Sequence, residues 1–246
     1  MQLLLKDLAY GYDKVLLKDI NLSIKKGNKI LIVGTSGCGK STLFYVLMRL
    51  LYPLKGNIFI QGKNYDDLAE KSIREHFAVA FQEHHIFNLS IRDNFKMLYE
   101  DITDEEIYKS LENVYLLDFV NQVGLDYIVG NDGNKLSGGQ KHRLQLAICL
   151  AKQKDIILLD EPTAGLDIKT TNNICSQLME KYQKQTMIIT SHDISLLRFF
   201  DDIIICGEEK IIEQGNIKKL LLREDSYLNK LIRYKTLSRS NLFVFL

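Results

Sequence analysis

Short runs that are apolar at nearly every position recur along this chain, and they restrict the folds that it can adopt. They are "KILIVG" (29–34), "DIILLD" (155–160), "TMIITS" (186–191) and "DIIIC" (202–206). Their shortness and β-branched content predict strands. Strands without a polar face are expected in parallel sheets that helices cover on both sides, because no face is left for solvent. The sequence therefore predicts an α/β core.

Other segments complete the predicted order of elements. Thr103 followed by Glu106 predicts a capping box at a helix start, with Ile102 and Ile107 spaced for a hydrophobic staple. Further strands are predicted at 3–10, 20–24, 57–60, 77–81 and 210–215, and helices at 40–51, 104–114, 137–152, 167–183 and 217–232. We expect one domain over 1–246, with a helical subdomain inserted at about 84–152 and a tail from about 233 to 246 of unassigned structure.

Composition narrows the classes of partner. The chain has 32 Lys and Arg against 31 Asp and Glu, a formal net charge of +1, so it lacks the basic field that nucleic acids require. No nucleic acid partner is expected. The longest apolar stretches fall short of the ~20 residues that cross a bilayer, and no signal peptide is predicted. Four cysteines without a C-x-x-C pair predict free thiols in a reducing cytosol: Cys38, Cys149, Cys175 and Cys206.

A glycine-rich loop, "GTSGCGKST" (34–42), follows the predicted strand at 29–34 and precedes an apolar-periodic segment. The spacing G-x-x-x-x-G-K-[ST] in that context predicts a phosphate-binding loop. Glycines let backbone N–H groups surround phosphate oxygens, and the following helix N-terminus adds partial positive charge. Lys40 is expected to bridge the terminal phosphates, and Ser41 to ligate Mg²⁺. The expected nucleotide contacts are Gly34, Thr35, Ser36, Gly37, Cys38, Gly39, Lys40, Ser41 and Thr42.

Polar side chains end two of the apolar strands. Asp160 and Glu161 follow "IILL", and His192 follows "TMIITS". A carboxylate at the tip of a core strand can hold Mg²⁺, and the next one can polarise an attacking water. We therefore assign Asp160 to the metal and Glu161 to the general base. Because ligands collect at the carboxyl ends of parallel strands, His192 is expected to contact a γ-phosphate.

The order of motifs resembles the ATP-binding cassette (ABC) family. The phosphate loop is followed by a glutamine after a strand in "AFQEHHIF", by the signature "LSGGQ", and by "IILLDEP", "AGLD" and "SHD". The resemblance extends from about residue 2 to about residue 222. It implies ATP binding and hydrolysis with Mg²⁺, and a P-loop NTPase fold with a RecA-like core, an N-terminal antiparallel β portion and an inserted helical subdomain.

The resemblance also implies roles for single residues. Tyr12 would stack on adenine, although Tyr10, two positions away, stays open for that role. Gln82 would reach Mg²⁺ and the attacking water, and His192 would be the switch histidine. Asp167 would link two active sites across a dimer.

The family works as a dimer of two ABC ATPase domains that hold two ATP molecules head to tail. Each ATP would lie between the phosphate loop of one chain and the signature of the other, formed here by Ser137, Gly138, Gly139 and Gln140. Ser137 is a good N-cap, and the glycines let N–H groups approach a γ-phosphate. A homodimer and a heterodimer both stay open.

The subclass resembles exporters, since "FQEHHIFNLSIRDNF" and "VGNDGNKLSGGQ" are similar to exporter stretches. Asn131 departs from them, where exporters usually carry a glutamate that contacts the membrane domain, and His142 replaces a usual Gln or Arg. We expect a separate transmembrane transporter subunit as partner and a peripheral location on the cytoplasmic face of the membrane. The alternative is a non-transport ABC ATPase that acts in assembly or repair.

Overall fold

The computed structural model describes residues 2–82 and 85–238 of the chain. The chain divides into a first unit, Met1–Ala69 with Thr190–Leu246, and a second unit, Glu70–Ile189. Among the helices of the described residues, none combines the length and apolar character that crossing a bilayer requires.

The described residues form strands and helices in mixed order. The strands are β1 (Leu3–Gly11), β2 (Val15–Ile24), β3 (Lys29–Gly34), β4 (Lys55–Ile60), β5 (Lys63–Asn64), β6 (Phe77–Ala80), β7 (Ile156–Asp160), β8 (Thr186–Thr190), β9 (Asp202–Cys206) and β10 (Ile211–Asn216). The helices are α1 (Lys40–Leu47), α2 (Glu70–Arg74), α3 (Ile91–Lys96), α4 (Asp104–Glu112), α5 (Leu117–Val123), α6 (Gly138–Leu150), α7 (Ile168–Lys181), α8 (Ile217–Leu221) and α9 (Tyr227–Ser238).

The first unit carries an antiparallel sheet and a group of strands with parallel pairing. The antiparallel sheet has the order β2-β1-β4-β5. In the other group β9 lies between β10 and β3, and it pairs antiparallel with β10 and parallel with β3. The parallel register sets Ile30 against Asp202 and Gly34 against Cys206. The end of β3 therefore delivers the phosphate loop beside the end of β9.

The second unit combines parallel strands with a run of helices. β6 and β7 pair in parallel, with Phe77 against Ile156, in the order β8-β7-β6. Helices α3 to α6 fall between β6 and β7 in the chain. Helix α4 is tied to α6, where Ser110 Oγ donates to the Ala147 carbonyl at 2.5 Å. The predicted helical stretch from 84 to 152 thus holds α3 to α6, and its boundaries as a subdomain stay a prediction.

The capping box predicted at α4 is confirmed. The Thr103 side chain accepts the Glu106 N–H, and the Glu106 side chain accepts the Thr103 N–H. Every apolar or alternating run predicted as a strand forms one, with ends that differ by a few residues. The short elements β5, α2, α3 and α5 were not predicted, because they contain too few residues to show a period.

Two helix predictions were wrong in extent. The segment at 40–51 is helical to Leu47, and Arg49 takes a left-handed φ of 54° that ends the helix. The segment at 217–232 is two helices, α8 and α9. There the Asn229 side-chain N–H donates to the Arg223 carbonyl at 2.7 Å, and Ser226 Oγ accepts the Asn229 backbone N–H at 3.1 Å. Local side-chain bonds of this kind compete with a continuous helix. Residues 239–246 of the predicted tail lie outside the described residues.

Candidate nucleotide-binding and hydrolysis site

The phosphate loop lies between β3 and α1, as its spacing predicts. Lys40 is the first helical residue and is buried. Its Nζ donates to the Gly34 carbonyl and to the Thr35 carbonyl, each at 3.0 Å. The loop therefore closes around its own lysine. These two carbonyls hold the ammonium in a position from which phosphate oxygens, which form stronger charge-assisted bonds, can take it over.

Glycine is required at two points of this loop. Gly39 precedes α1 with a φ of 101°, a conformation that side chains rarely adopt. A β-carbon at Gly34 would lie 2.7 Å from the Cys206 carbonyl oxygen and 2.8 Å from Cys38 Sγ. Both positions are among the glycines that the motif specifies, and each has its own steric reason.

Tyr10 supports the phosphate loop from its buried side. Its side chain is fully buried, and its hydroxyl donates to the Gly39 carbonyl at 3.0 Å. Burial raises the pKa of Tyr10 well above its usual value, so the phenol keeps its proton. The sequence allowed Tyr10 as an alternative to Tyr12 for stacking on adenine. Because the ring is buried, Tyr10 is not available for that role. Tyr12 is 59% exposed, and adenine stacking by Tyr12 stays a prediction.

His192 also lies in the first unit, just after β8. It is exposed, and both of its neighbours are anchored. The Ser191 N–H donates to the Ile32 carbonyl at 3.0 Å, and Asp193 caps the following turn through its bond from the Ser195 N–H at 2.9 Å. The backbone around His192 is therefore held while its imidazole faces solvent. Its role as the switch histidine stays a prediction.

Asp160 and Glu161 end β7 in the second unit. Both carboxylates are buried, and Glu161 takes a left-handed φ of 50°. The turn that follows is closed by the Ala164 N–H, which donates to the Glu161 carbonyl at 3.1 Å. A non-glycine residue in this conformation costs free energy, and such strain is concentrated at functional sites. Seven other non-glycine residues among those described also have a positive φ, so the catalytic role of Glu161 stays a prediction.

Asp167 is the N-cap of α7. Its carboxylate accepts the Thr170 N–H at 2.9 Å and the Thr170 hydroxyl at 2.6 Å. These bonds hold the pKa of Asp167 below its usual value. Ile168, the next residue, is strongly exposed. The capping role was not predicted, although Asp is among the preferred N-cap residues and Asp167 is the first residue of the predicted helix at 167–183.

The signature forms the start of α6. Ser137 Oγ accepts the Gln140 N–H at 3.2 Å, and Gln140 Oε1 accepts the Ser137 N–H at 2.8 Å, which makes a capping box. The N-cap prediction is confirmed, and the side-chain oxygen of Gln140 is used within the helix. A β-carbon added at Gly138 would meet no atom within 4 Å, so the first turn is open on that side. An oxygen ligand can approach its N–H groups there.

A cavity of about 400 Å³ in the second unit brings Gln82 together with the signature helix. Its lining residues are Gln82, His85, Asp132, Gly138, Lys141, His142 and Gln145. Lys141 Nζ lies 2.6 Å from Asp132 Oδ2, and this bond lowers the pKa of Asp132. Burial lowers the pKa of His142. Backbone hydrogen bonds to Pro162 and Ala164 act in the opposite direction and raise it, but burial is the larger effect. The contact of His142 with the turn after Glu161 was not predicted.

The predicted site residues therefore form two sets. The first unit holds Tyr12, the phosphate loop at 34–42 and His192, and the second unit holds Gln82, Ser137 to Gln140, Asp160, Glu161 and Asp167. Within residues 2–82 and 85–238, His, Cys, Asp and Glu nowhere gather in groups of three or more that could hold a metal ion. A metal bound mainly by phosphate and water needs no such group.

Comparison with known proteins identifies the family. The family model described as ABC transporter matches residues 17–164. A beta-(1→2)glucan export ATP-binding/permease protein of Agrobacterium vitis is 36% identical over 205 residues, which are 82% of this chain and 35% of that protein. A glutathione/L-cysteine transport system ATP-binding/permease protein of Escherichia coli K12 is 34% identical over 230 residues, 92% of this chain and 40% of that protein.

A solved structure agrees with these matches. A bacterial Atm1-family ABC exporter with ATP bound is similar at a TM-score of 0.88 and 30% identity, over 95% of this chain and 41% of that one. The chain thus spans well under half the length of the relatives that it matches. The expected fold class, with its antiparallel β portion and mixed sheet, is confirmed. The chain belongs to the ABC transporter family.

Proposed function

We propose that this domain powers export by an ABC transporter, by coupling ATP binding and hydrolysis to the movement of transmembrane helices. The observation that carries the proposal is the likeness to an exporter along nearly the whole chain. The names of the relatives point the same way, since they combine export or transport with ATP binding and a permease. The transported substrate is not proposed, because the lining of a permease would select it.

ATP binding rests on the phosphate loop. The N–H groups of the loop and of the first turn of α1 would surround the phosphates, and Lys40 would exchange its bonds to the Gly34 and Thr35 carbonyls for phosphate oxygens. Tyr12 would cover the adenine, since its ring is exposed whereas the ring of Tyr10 is buried. Tyr10 would hold the loop at Gly39 during this exchange.

The predicted ligands fit Mg²⁺ by their donor chemistry. Ser41, Gln82 and Asp160 offer a hydroxyl, an amide oxygen and a carboxylate oxygen, and Mg²⁺ prefers oxygen ligands. When bound, Mg²⁺ would neutralise charge that develops on the β- and γ-phosphates. Asp160, at the end of a buried strand, would hold its oxygen in a fixed place because the strand leaves it little freedom.

Hydrolysis would depend on three side chains. Glu161 would accept a proton from the attacking water, with its direction set by the strained turn after β7. Gln82 would orient that water, and His192 would contact the γ-phosphate. His192 is suited to this because its backbone is anchored on both sides while its ring is exposed.

A second ABC ATPase domain would complete the site. The open first turn of α6, with Ser137 and the two glycines, would contact the γ-phosphate of ATP held by a partner chain. Asp167 would lie at the junction of the two sites, at the capped start of α7. ATP would close this dimer because its γ-phosphate contacts both faces, and phosphate release would open it.

The transport step needs membrane-spanning helices, either in a separate subunit, as the sequence led us to expect, or joined to this domain, as in the relatives. The domain would then lie at the cytoplasmic face of the membrane. Docking of the transmembrane partner would occur near residues 82–94 and the helical subdomain. The exposed Phe87 supports this, since the Asn94 side chain holds the Phe87 backbone with two hydrogen bonds.

Purification of the protein from its own membranes in mild detergent tests this proposal. We expect a membrane-spanning polypeptide to accompany the domain and the ATPase rate to change when that polypeptide is removed. The Lys40→Ala variant should co-purify with the same polypeptide but should show no ATPase activity. Recovery of an active ATPase with no membrane-spanning component, and with no change in rate on extraction, would contradict a role in transport.

A further inference from the structure

Two thiols meet inside the phosphate-loop region. Cys38 is a loop residue, and Cys206 is the last residue of β9. The register of β3 and β9 sets Gly34 directly opposite Cys206, and Cys38 Sγ turns back over Gly34. The two thiols are hydrogen-bonded to each other. Residues separated widely in the sequence thus form a close cysteine pair.

Gly34 creates the space in which the pair forms. A β-carbon at this position would lie 2.8 Å from Cys38 Sγ and 3.0 Å from Cys206 Cβ. The first distance is shorter than real Cβ contacts allow, and the second would require Cys206 to shift. The glycine that the phosphate loop requires therefore also leaves the two cysteines without a barrier between them.

We propose that Cys38 and Cys206 form a reversible disulfide on exposure to a peroxide, and that this bond switches off nucleotide binding at the phosphate loop. Both thiols are buried, so a small oxidant such as hydrogen peroxide is the suitable reagent. Lys40 lies two residues after Cys38 and supplies positive charge next to the sulfur. The pairing itself needs no ATP, whereas its effect on binding rests on the role proposed for the loop.

The charges around the pair favour reaction at Cys38. The hydrogen bond from Cys206, followed by the charge of Lys40, lowers the pKa of Cys38 despite its burial. The same hydrogen bond and burial raise the pKa of Cys206. Cys149 offers a contrast, since burial raises its pKa to about 12. Because the thiolate is the nucleophile, Cys38 is the thiol of these three that attacks first.

The reaction balances in two steps. The Cys38 thiolate attacks one oxygen of hydrogen peroxide, so an S–O bond forms, the O–O bond breaks, and hydroxide leaves, which gives a sulfenic acid. Cys206 then loses its proton to the hydroxide and attacks the Cys38 sulfur. The S–S bond forms as the S–O bond breaks, and hydroxide leaves. This hydroxide takes up the proton that Cys38 released when it became a thiolate, which gives the second water. Two thiols are oxidised by two electrons, and one peroxide is reduced to two waters.

The disulfide would change the loop because hydrogen-bonded sulfurs lie farther apart than the ~2.05 Å of an S–S bond. The end of β9 is held by its pairing with β3 and β10, so the loop is the part that moves. Its N–H groups would then leave the positions that phosphate oxygens require. We expect nucleotide affinity to fall by roughly tenfold or more, as for the loss of a charge-assisted hydrogen bond.

The experiment treats the full chain with equimolar hydrogen peroxide and maps its peptides without reduction. We expect a cross-linked peptide that contains Cys38 and Cys206, a mass lower by two hydrogen atoms, and recovery of both thiols with dithiothreitol. Cys149→Ala should cross-link like the unchanged protein. Cys206→Ala should give no cross-link and should carry its oxidation on Cys38, trapped by a sulfenic-acid reagent. A map without the Cys38–Cys206 bond would overturn the proposal, and this result does not depend on any variant folding.

The second measurement follows binding of a fluorescent ATP analogue, with each protein compared with its own reduced form. The unchanged protein should lose roughly tenfold in affinity on oxidation and regain it with dithiothreitol. Equal affinity of the cross-linked and reduced forms would refute the switch. An equal and reversible loss in Cys206→Ala would refute it too. If the reduced protein binds no nucleotide, the role of the phosphate loop fails, and the peptide map still decides the disulfide.

Discussion

At the scale of single residues, the structure places neighbouring side chains of similar chemistry in different environments. Tyr10 and Tyr12 stand two positions apart, yet Tyr10 is buried with its hydroxyl on Gly39 and Tyr12 is exposed. Asp160 and Glu161 are adjacent carboxylates, and Glu161 alone of the two takes a left-handed backbone. In the first pair the difference separates a buried supporting ring from an exposed one, and in the second it separates the backbone conformations of two residues that are both proposed to act in the site.

The two tyrosines give a paired prediction. Tyr10→Phe removes the donor to the buried Gly39 carbonyl and should lower the free energy of unfolding by about 1 kcal/mol. Its loss of ATP affinity should be smaller than that of Tyr12→Ala. Tyr12→Ala should change the free energy of unfolding by less than about 0.5 kcal/mol, because the ring is exposed, and should lower ATP affinity. Denaturant unfolding and nucleotide titration measure the two effects. Equal ATP affinity in Tyr12→Ala would remove the stacking role.

Glu161→Gln tests the general base. The amide keeps the shape of the side chain and cannot accept the proton of the attacking water, so ATP binding should persist while hydrolysis falls by roughly 10² or more. The ATP-bound dimer should then accumulate, as size-exclusion chromatography with ATP would show. Turnover close to that of the unchanged protein would assign the base to another group.

At the scale of elements, several of the proposed functional contacts lie at helix ends. Ser137 starts α6 and Asp167 starts α7, each through a side-chain cap, and both belong to the predicted ligand contacts. Thr103 starts α4 with the same capping box as Ser137 but far from any predicted contact in sequence. The same local interaction thus serves stability at one helix and is proposed to serve phosphate recognition at another.

Loss of the cap should therefore have different consequences at the two helices. Thr103→Ala and Ser137→Ala should each lower the free energy of unfolding by about 1 kcal/mol, because each leaves the N–H at the third helical position without its acceptor. ATPase activity should fall in Ser137→Ala and stay near that of the unchanged protein in Thr103→Ala. Parallel unfolding and ATPase assays decide this, and a similar activity loss in both variants would argue for a purely structural role of Ser137.

At the scale of the whole molecule, the proposed function gives a reason for two glycine-rich segments in one chain. The loop at 34–42 closes around Lys40, and the signature presents an open helix start. If the signature serves the nucleotide of a partner chain, two defective chains can restore one site between them. Domain association is therefore part of the proposed catalytic cycle and not a property added to it.

A mixture of two variants tests this sharing. Lys40→Ala disables the phosphate loop, and Ser137→Arg blocks the signature, so each variant alone should be inactive. A dimer of one chain of each kind keeps one intact pair of loop and signature, and the mixture should regain a fraction of the ATPase activity. Cross-linking should confirm that mixed dimers form. A mixture in which mixed dimers form without any gain over the separate variants would contradict the shared site.

The sequence by itself determined the strands, the α/β class and the phosphate loop, because each depends on local patterns: apolar runs for buried strands, and glycine, lysine and serine at fixed spacing for the loop. It also determined the cap of α6, since Ser137 and Gln140 lie three positions apart. The order of motifs was enough to suggest the family that the comparisons then showed.

Tertiary structure decided what depends on contacts between distant residues. Tyr10 is buried, and its hydroxyl bonds to the carbonyl of Gly39, which lies 29 positions away. Cys38 and Cys206 meet because β3 and β9 pair in parallel around Gly34, and no spacing in the sequence reports that pairing. Such choices are made by packing and hydrogen bonding across the fold, which a local pattern does not contain.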